Sequence, residues 1–214
     1  MKNLLRHILS PLLLGSALLA LPAHADDLTP EQVADLYLKT LIGVDLESAQ
    51  KINDYLREDQ NGEDALNLET LKNIRSFSID GMTEGFMDAG PGSDMPGLKP
   101  HALEFFAAMY DALHRAQCTV GKSTQTKSTA TVHYTCTVPN LDPATKSELG
   151  ALANDDSSEE AIKTFLTKGT AAYQNAPLTR TVEGEFSLQA SPHGKWHSDA
   201  PFRALDPIAD ALRF

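Results

Sequence analysis

Cys118 and Cys136 are the only cysteines of the 214-residue chain, and their setting decides between a reactive thiol and a structural bond. Taken as an antiparallel pair centred on Lys127, the flanking segments set Cys118 opposite Cys136, Val120 opposite Tyr134 and Lys122 opposite Val132. Ala130, Val132, Tyr134, Cys136 and Val138 then share one face with Cys118 and Val120, as a period of two requires. The two sulfurs are therefore expected to be bonded to each other, which leaves no catalytic thiol.

Other chemistry-bearing patterns fail on spacing. Gly121-Lys122-Ser123 ends like a phosphate-binding loop, but that loop needs a glycine five residues before the lysine, where Gln117 stands. Asp59-Gln60-Asn61-Gly62 has the look of a calcium loop. Placing Gly62 sixth puts Arg57 first and Leu68 last, where carboxylates are required, so a solvated turn is expected. His101 and His114 are 13 residues apart on one expected helix, hence about 140° apart around its axis. His193 and His197 would lie about 13 Å apart on an extended strand. Met82, Met87 and Met95 could offer thioethers to cuprous copper but lack clustered spacing, so they are expected to pack on the core. No Gly-x-Ser-x-Gly elbow, paired metal-ligand motif or dinucleotide fingerprint is present. No catalytic set, metal site or cofactor is assigned, and the abundant carboxylates, among them Asp54, Glu58, Glu69 and Glu159, fall on polar helix faces.

The address narrows the classes further. Lys2 and Arg6 precede an apolar run, Leu12 to Leu21, that ends in Ala23-His24-Ala25 and then Asp26-Asp27. This is the pattern of a cleavable secretory signal with a cut after Ala25, and it implies a periplasmic location without a stable membrane anchor. Its removal takes two cations and no acid, so 16 Lys and Arg against 29 Asp and Glu leave a formal charge of −13. Such a surface repels phosphate backbones and anionic headgroups, which excludes nucleic acid as the expected partner and favours a cationic protein. The remaining residues, 26–214, suit a single domain.

The elements alternate clearly along the chain. Thr29-Pro30-Glu31-Gln32 is a helix start, and Val33, Leu36, Tyr37, Leu41 and Ile42 make a stripe that Gly43 stops. A second helix is expected over 45–58, with Leu46, Ala49, Ile52 and Leu56 inward, and a third piece over 66–74. The five glycines and three prolines of residues 80–100 predict a long loop or lid. His101 to Arg115 is an apolar helix expected to lie against a sheet. After the disulfide hairpin comes a helical insertion over about 143–175, with Ser157 and Glu160 at capping-box spacing. Strands follow over 182–190 and 195–197, joined by the turn Ser191-Pro192-His193-Gly194, and Asp206-Pro207 is expected to cap a short last helix. The fold class is therefore α+β: N-terminal helices on a curved antiparallel sheet, with a helical insertion between strands.

That order, with a strand of the Ala130-Thr131-Val132 type and a closing Gly194-Lys195-Trp196 step, resembles exported bacterial members of the nuclear-transport-factor-2-like (cystatin-like) superfamily. The resemblance spans about residues 29–200 and implies a bent sheet wrapped around a helix, with an apolar pocket at the wide end of the cone. The chain departs from the family's enzymes in showing no recognisable buried His and Asp pair. If such a pocket exists, its expected walls are Tyr110, Tyr134, Phe186 and Trp196, with Phe86 and Met87 from the lid; for Tyr110, Tyr134 and Trp196, which point to the interior, ordinary core packing is the first expectation. The function expected on this basis is a non-catalytic exported binding protein for a small apolar ligand or, through its rim, for a cationic protein. An acidic periplasmic inhibitor or immunity protein is the alternative, followed by a hydrolase or isomerase built on a pocket carboxylate or histidine.

Overall fold

The computed structural model describes residues 28–90, 92, 94–154 and 158–213, so the secretory-signal pattern and its cut lie outside the described residues. Helix α1 (Pro30–Gly43) starts where the sequence signals it. Thr29 Oγ accepts from the Gln32 amide at 3.3 Å, and the Gln32 side chain accepts from the Thr29 amide at 2.8 Å. Its end differs from expectation. Val44, not Gly43, takes the left-handed conformation at φ 50°, which is unfavourable for a β-branched residue. Helix α2 (Leu46–Leu56) is capped by Asp45, whose carboxylate accepts from the Glu47 amide at 3.0 Å. Buried Asn53 clamps the following connection by pairing with both the amide and the carbonyl of Leu66, at 2.7 and 2.9 Å.

Helix α3 (Leu68–Ala89), capped by Asn67, overturns the expectation of a lid over 80–100. Gly81 and Gly85 do not end it, because Leu71, Ile79 and Thr83 are buried at helical spacing and the helix packs on α4 (Lys99–Leu113). A glycine costs a helix about 1 kcal/mol, which packing of an apolar stripe overrides. Phe86, Met82 and Met87 are thus helical residues, and the connection shrinks to a short stretch with a 3-10 turn at Pro96–Leu98.

The sheet is an antiparallel meander of β1 (Gln117–Gln125), β2 (Thr129–Pro139), β3 (Leu178–Ala190) and β4 (Trp196–His197), in that order. Helices α5 (Pro143–Asn154) and α6 (Glu159–Asn175) form the insertion between β2 and β3. The molecule is thus α+β, with helices packed on an open sheet. Cys118 faces Cys136 and the two are bonded, and Val120 faces Tyr134 as expected. Beyond that pair a bulge shifts the register by one residue, so Ser123 rather than Lys122 opposes Val132. Two smaller signals also move: Ser158 caps α6, Ser157 lying outside the described residues, and β3 begins four residues early. The final helix α7 (Asp206–Leu212) follows directly from a 3-10 turn at Pro201–Leu205, so Asp206 stands inside the helix rather than at its cap.

Two hydrophobic clusters result. In the first, Ala130, Val132, Tyr134, Cys136 and Val138 of β2 meet Val33, Tyr37, Leu38 and Leu41 of α1, and Ile208 and Ala211 of α7 close the layer. The other face of β2, with Thr129, His133 and Thr135, is exposed. The second cluster is helical, with Phe105, Ala108 and Ala112 of α4 against Ile162, Leu166 and Tyr173 of α6. The expectation that α4 lies on the sheet is corrected here: it sits between α3 and α6 and barely touches β2. Its apolar residues ring most of its circumference, and a helix on either side satisfies such a ring as well as a sheet does.

Candidate functional site

The structure disperses the six expected pocket walls. Tyr134 and Phe186 are buried in the first cluster, where Phe186 stacks on Tyr37 at 5.4 Å and the Tyr134 hydroxyl donates to the Ala204 carbonyl at 2.5 Å. Burial pushes the Tyr134 phenol up to about 12, so it remains a donor throughout the physiological range. Trp196 packs against the edge of the same cluster, and its amide donates to the Tyr55 hydroxyl at 2.8 Å. Phe86 and Met87 belong to the helical cluster instead, where Phe86 meets Phe106 edge-on at 6.0 Å. Tyr110 lies against His114 at the end of α4, the rings tilted by 31° with 4.0 Å between centroids. Among the described residues, the chain's own side chains fill the layer between the sheet and α1.

Two surface clefts are lined by a mixture of apolar and charged side chains. One of about 400 Å³ runs between α4 and α6, floored by Ala107, Ala108 and Ala112 and flanked by Arg75 and Asp111, whose two hydrogen bonds are both 2.9 Å. The larger, about 520 Å³, opens between α1, α2 and the β3–β4 turn, and is lined by Leu28, Gln32, Leu36, Tyr55 and Lys195, among others. Of the six expected wall residues, Trp196 reaches that lining, through its hydrogen bond to Tyr55.

Near the second cleft the fold assembles a group that sequence spacing hides. Asp59, expected in a solvated turn, has a side chain only 8% exposed, and its Oδ1 lies 2.5 Å from Nδ1 of His193. The turn that carries His193 is organised by Ser191, whose hydroxyl accepts from the amides of His193 and Lys195 at 3.2 and 3.1 Å, with Gly194 at φ 83°. Lys195 reaches back over the Tyr55 ring at 5.8 Å and meets Glu58 at 3.4 Å. Asp59 Oδ2 is buried and makes no close hydrogen bond among the described residues, although the Ser191 hydroxyl is near enough to help hold the charge. Burial pushes the Asp59 carboxyl up. Hydrogen bonds from His193 and Ser191, with the charges of His193 and Lys195, outweigh it and leave the carboxyl below its ordinary value. Asp59 and His193 are 134 residues apart, so no local pattern could have paired them. The arrangement can hold the imidazole by Nδ1 while the His193 side chain stays half-exposed. Among the described residues, no group of three or more His, Cys, Asp and Glu side chains could hold a metal ion.

No family model matches the chain, and no curated protein matches it at a significant level. Among solved structures, the crystal structure of ycdA from Bacillus subtilis subsp. subtilis str. 168 is similar at 16% identity and a TM-score of 0.42, over 79% of this chain. The match spans 59% of that protein's length.

Proposed function

We propose that this chain is an exported, non-catalytic binding protein whose acidic surface engages a cationic protein. The observation that carries the reading is the filled interior: Tyr134 and Phe186, expected to line an apolar pocket, are core residues held by Tyr37 and the Ala204 carbonyl. With the layer between sheet and α1 occupied by the chain's own side chains, recognition falls to the outside, where the charge without residues 1–25 is −13. An inhibitor or immunity protein that neutralises a basic toxin or enzyme would use the same surface. The secretory-signal pattern and the Cys118–Cys136 bond support an exported, periplasmic setting. The succession of helices, hairpin, insertion and closing strand supports placing the chain in the nuclear-transport-factor-2-like superfamily.

The test is affinity capture with the mature chain at low and at high salt, followed by native mass spectrometry of protein purified from its own compartment. The reading expects a specific cationic protein that is released by salt, and no co-purifying apolar small molecule. Recovery of a stoichiometric apolar ligand, or of no cationic partner at low salt, overturns it.

The contact between Asp59 and His193 favours a second reading, a hydrolase in which Asp59 orients His193 as a general base. That reading expects ester or amide hydrolysis that His193→Gln abolishes and Asp59→Asn lowers with a changed pH profile. Equal turnover by the wild-type protein and both variants removes it.

A further inference from the structure

We propose that the outward face of α3 between Phe77 and Asp88 is the docking surface for a partner helix that presents an apolar ridge bordered on one side by lysine or arginine. The inference rests on the reading of the chain as a binder of cationic protein, and adds the place and the shape of the partner.

Helix α3 uses one side to pack on α4 and α2, through buried residues such as Leu71, Ile79 and Thr83. The opposite side carries two parallel rows of residues spaced by four. Phe77, Gly81 and Gly85 form one row; Asp80, Glu84 and Asp88 form the next, displaced by about 60° around the axis. All six residues are exposed.

The glycine row is the unusual part. Glycine weakens a helix interior, and no packing among the described residues requires it: a β-carbon built on Gly81 or Gly85 would meet nothing within 4 Å there. What such a row does is lower one of the four-residue ridges of the helix surface into a groove, into which a ridge of another helix can settle. Phe77 stands at the head of the groove with 61% of its surface exposed, in the position of an aromatic anchor.

The acid row sets the partner's charge. Residues 76–98 hold Asp80, Glu84, Asp88 and Asp94 and no Lys, Arg or His. Earlier in α3 the charges are matched within the chain, Lys72 with Glu69 and Arg75 with Asp111. Asp80, Glu84 and Asp88 make no ion pair among the described residues, so their field is directed outward along about 12 Å of helix. A cationic row on the partner, beside its apolar ridge, complements both halves of the surface.

The test uses the mature chain and a labelled synthetic peptide of about 18 residues, helical, with a leucine and alanine ridge flanked on one side by lysine. A second peptide has the same composition in a scrambled order that places no ridge on one face. Fluorescence anisotropy at low salt should show the amphipathic peptide binding the wild-type protein at least about tenfold tighter than the scrambled one. Gly81→Leu with Gly85→Leu fills the groove while favouring the helix, so the thermal midpoint should stay level or rise while affinity falls at least about tenfold. Phe77→Ala should weaken binding, and Asp80→Asn with Glu84→Gln and Asp88→Asn should flatten its salt dependence. Equal affinity for the two peptides, or unchanged binding by the leucine-filled variant, overturns the assignment. If that variant still captures the same cationic protein undiminished, the binding reading stands and the α3 surface falls. If the wild-type protein binds neither peptide nor any cationic protein, both fall.

Discussion

Tyr134 shows how one residue can be central to a fold for reasons its neighbours in sequence do not disclose. Its hydroxyl reaches across β3 to the Ala204 carbonyl, and the strand lets it pass only because position 184 is glycine: a β-carbon there would lie 2.1 Å from the phenol oxygen. Gly184→Ala should therefore lower stability by about 1–3 kcal/mol by overpacking, measured by chemical denaturation, whereas the same change at Gly150, whose β-carbon position is open, should not destabilise. His114 makes a pH-dependent contribution. Its Nδ1–H donates to the Ile42 carbonyl and joins α4 to the end of α1. Burial lowers its pKa, only partly opposed by that carbonyl, so the folded chain favours the neutral ring. The unfolded chain takes up a proton first, so this stability is present above about pH 6.5 and is lost as pH falls below it. His114→Gln should flatten the dependence of the thermal midpoint on pH between about 5 and 7.5, compared with the wild-type protein by calorimetry. A midpoint that keeps the same slope in the variant would place the titration elsewhere.

At the scale of elements, the joint between α1 and α2 and the interior of α3 both depart from local preference. Val44 occupies a left-handed conformation that glycine adopts freely, and α2 begins immediately afterward with Asp45 as its cap. Val44→Gly relieves that strain at some expense in unfolded-chain entropy, and should stabilise the protein by about 0.5–1 kcal/mol in denaturant titrations. In α3, Gly81→Ala and Gly85→Ala should each add about 1 kcal/mol, because both positions are open and helical. Their composition is also why a loop is the natural expectation for residues 80–100. Glycine density outweighs the weaker helical spacing of Ile79, Met82, Thr83 and Phe86 until a packing partner, α4, is in place. The disulfide hairpin was legible for the opposite reason. Alternation on β2 and the matched positions of the cysteines are both local signals, and only the bulge beyond Val120 escaped them.

For the whole molecule, the two clusters divide the labour between a sheet layer braced by α1 and α7 and a helical layer of α3, α4 and α6. The Cys118–Cys136 bond lies in the sheet layer and closes a loop with a sequence separation of 18. Replacing both cysteines by serine should cost about 3 kcal/mol in the chain-entropy account, seen as an earlier denaturation midpoint, and the α3 surface should keep its peptide affinity because it lies in the other layer. Glu31 accepts from the Ser123 amide and hydroxyl at the bulge of β1, and Arg180 of β3 donates to the Ala211 carbonyl at the end of α7.

The linear order of residues was enough to establish the α+β class, the hairpin and its sulfur bond, the insertion between strands and the acidic balance. Each depends on near neighbours, on periodicity or on a simple count. It could not pair Asp59 with His193, bring the Tyr134 hydroxyl to the Ala204 carbonyl, or place α4 between two helices. Those outcomes are choices among partners far apart in the chain, and each is decided by which apolar faces meet when the layers close.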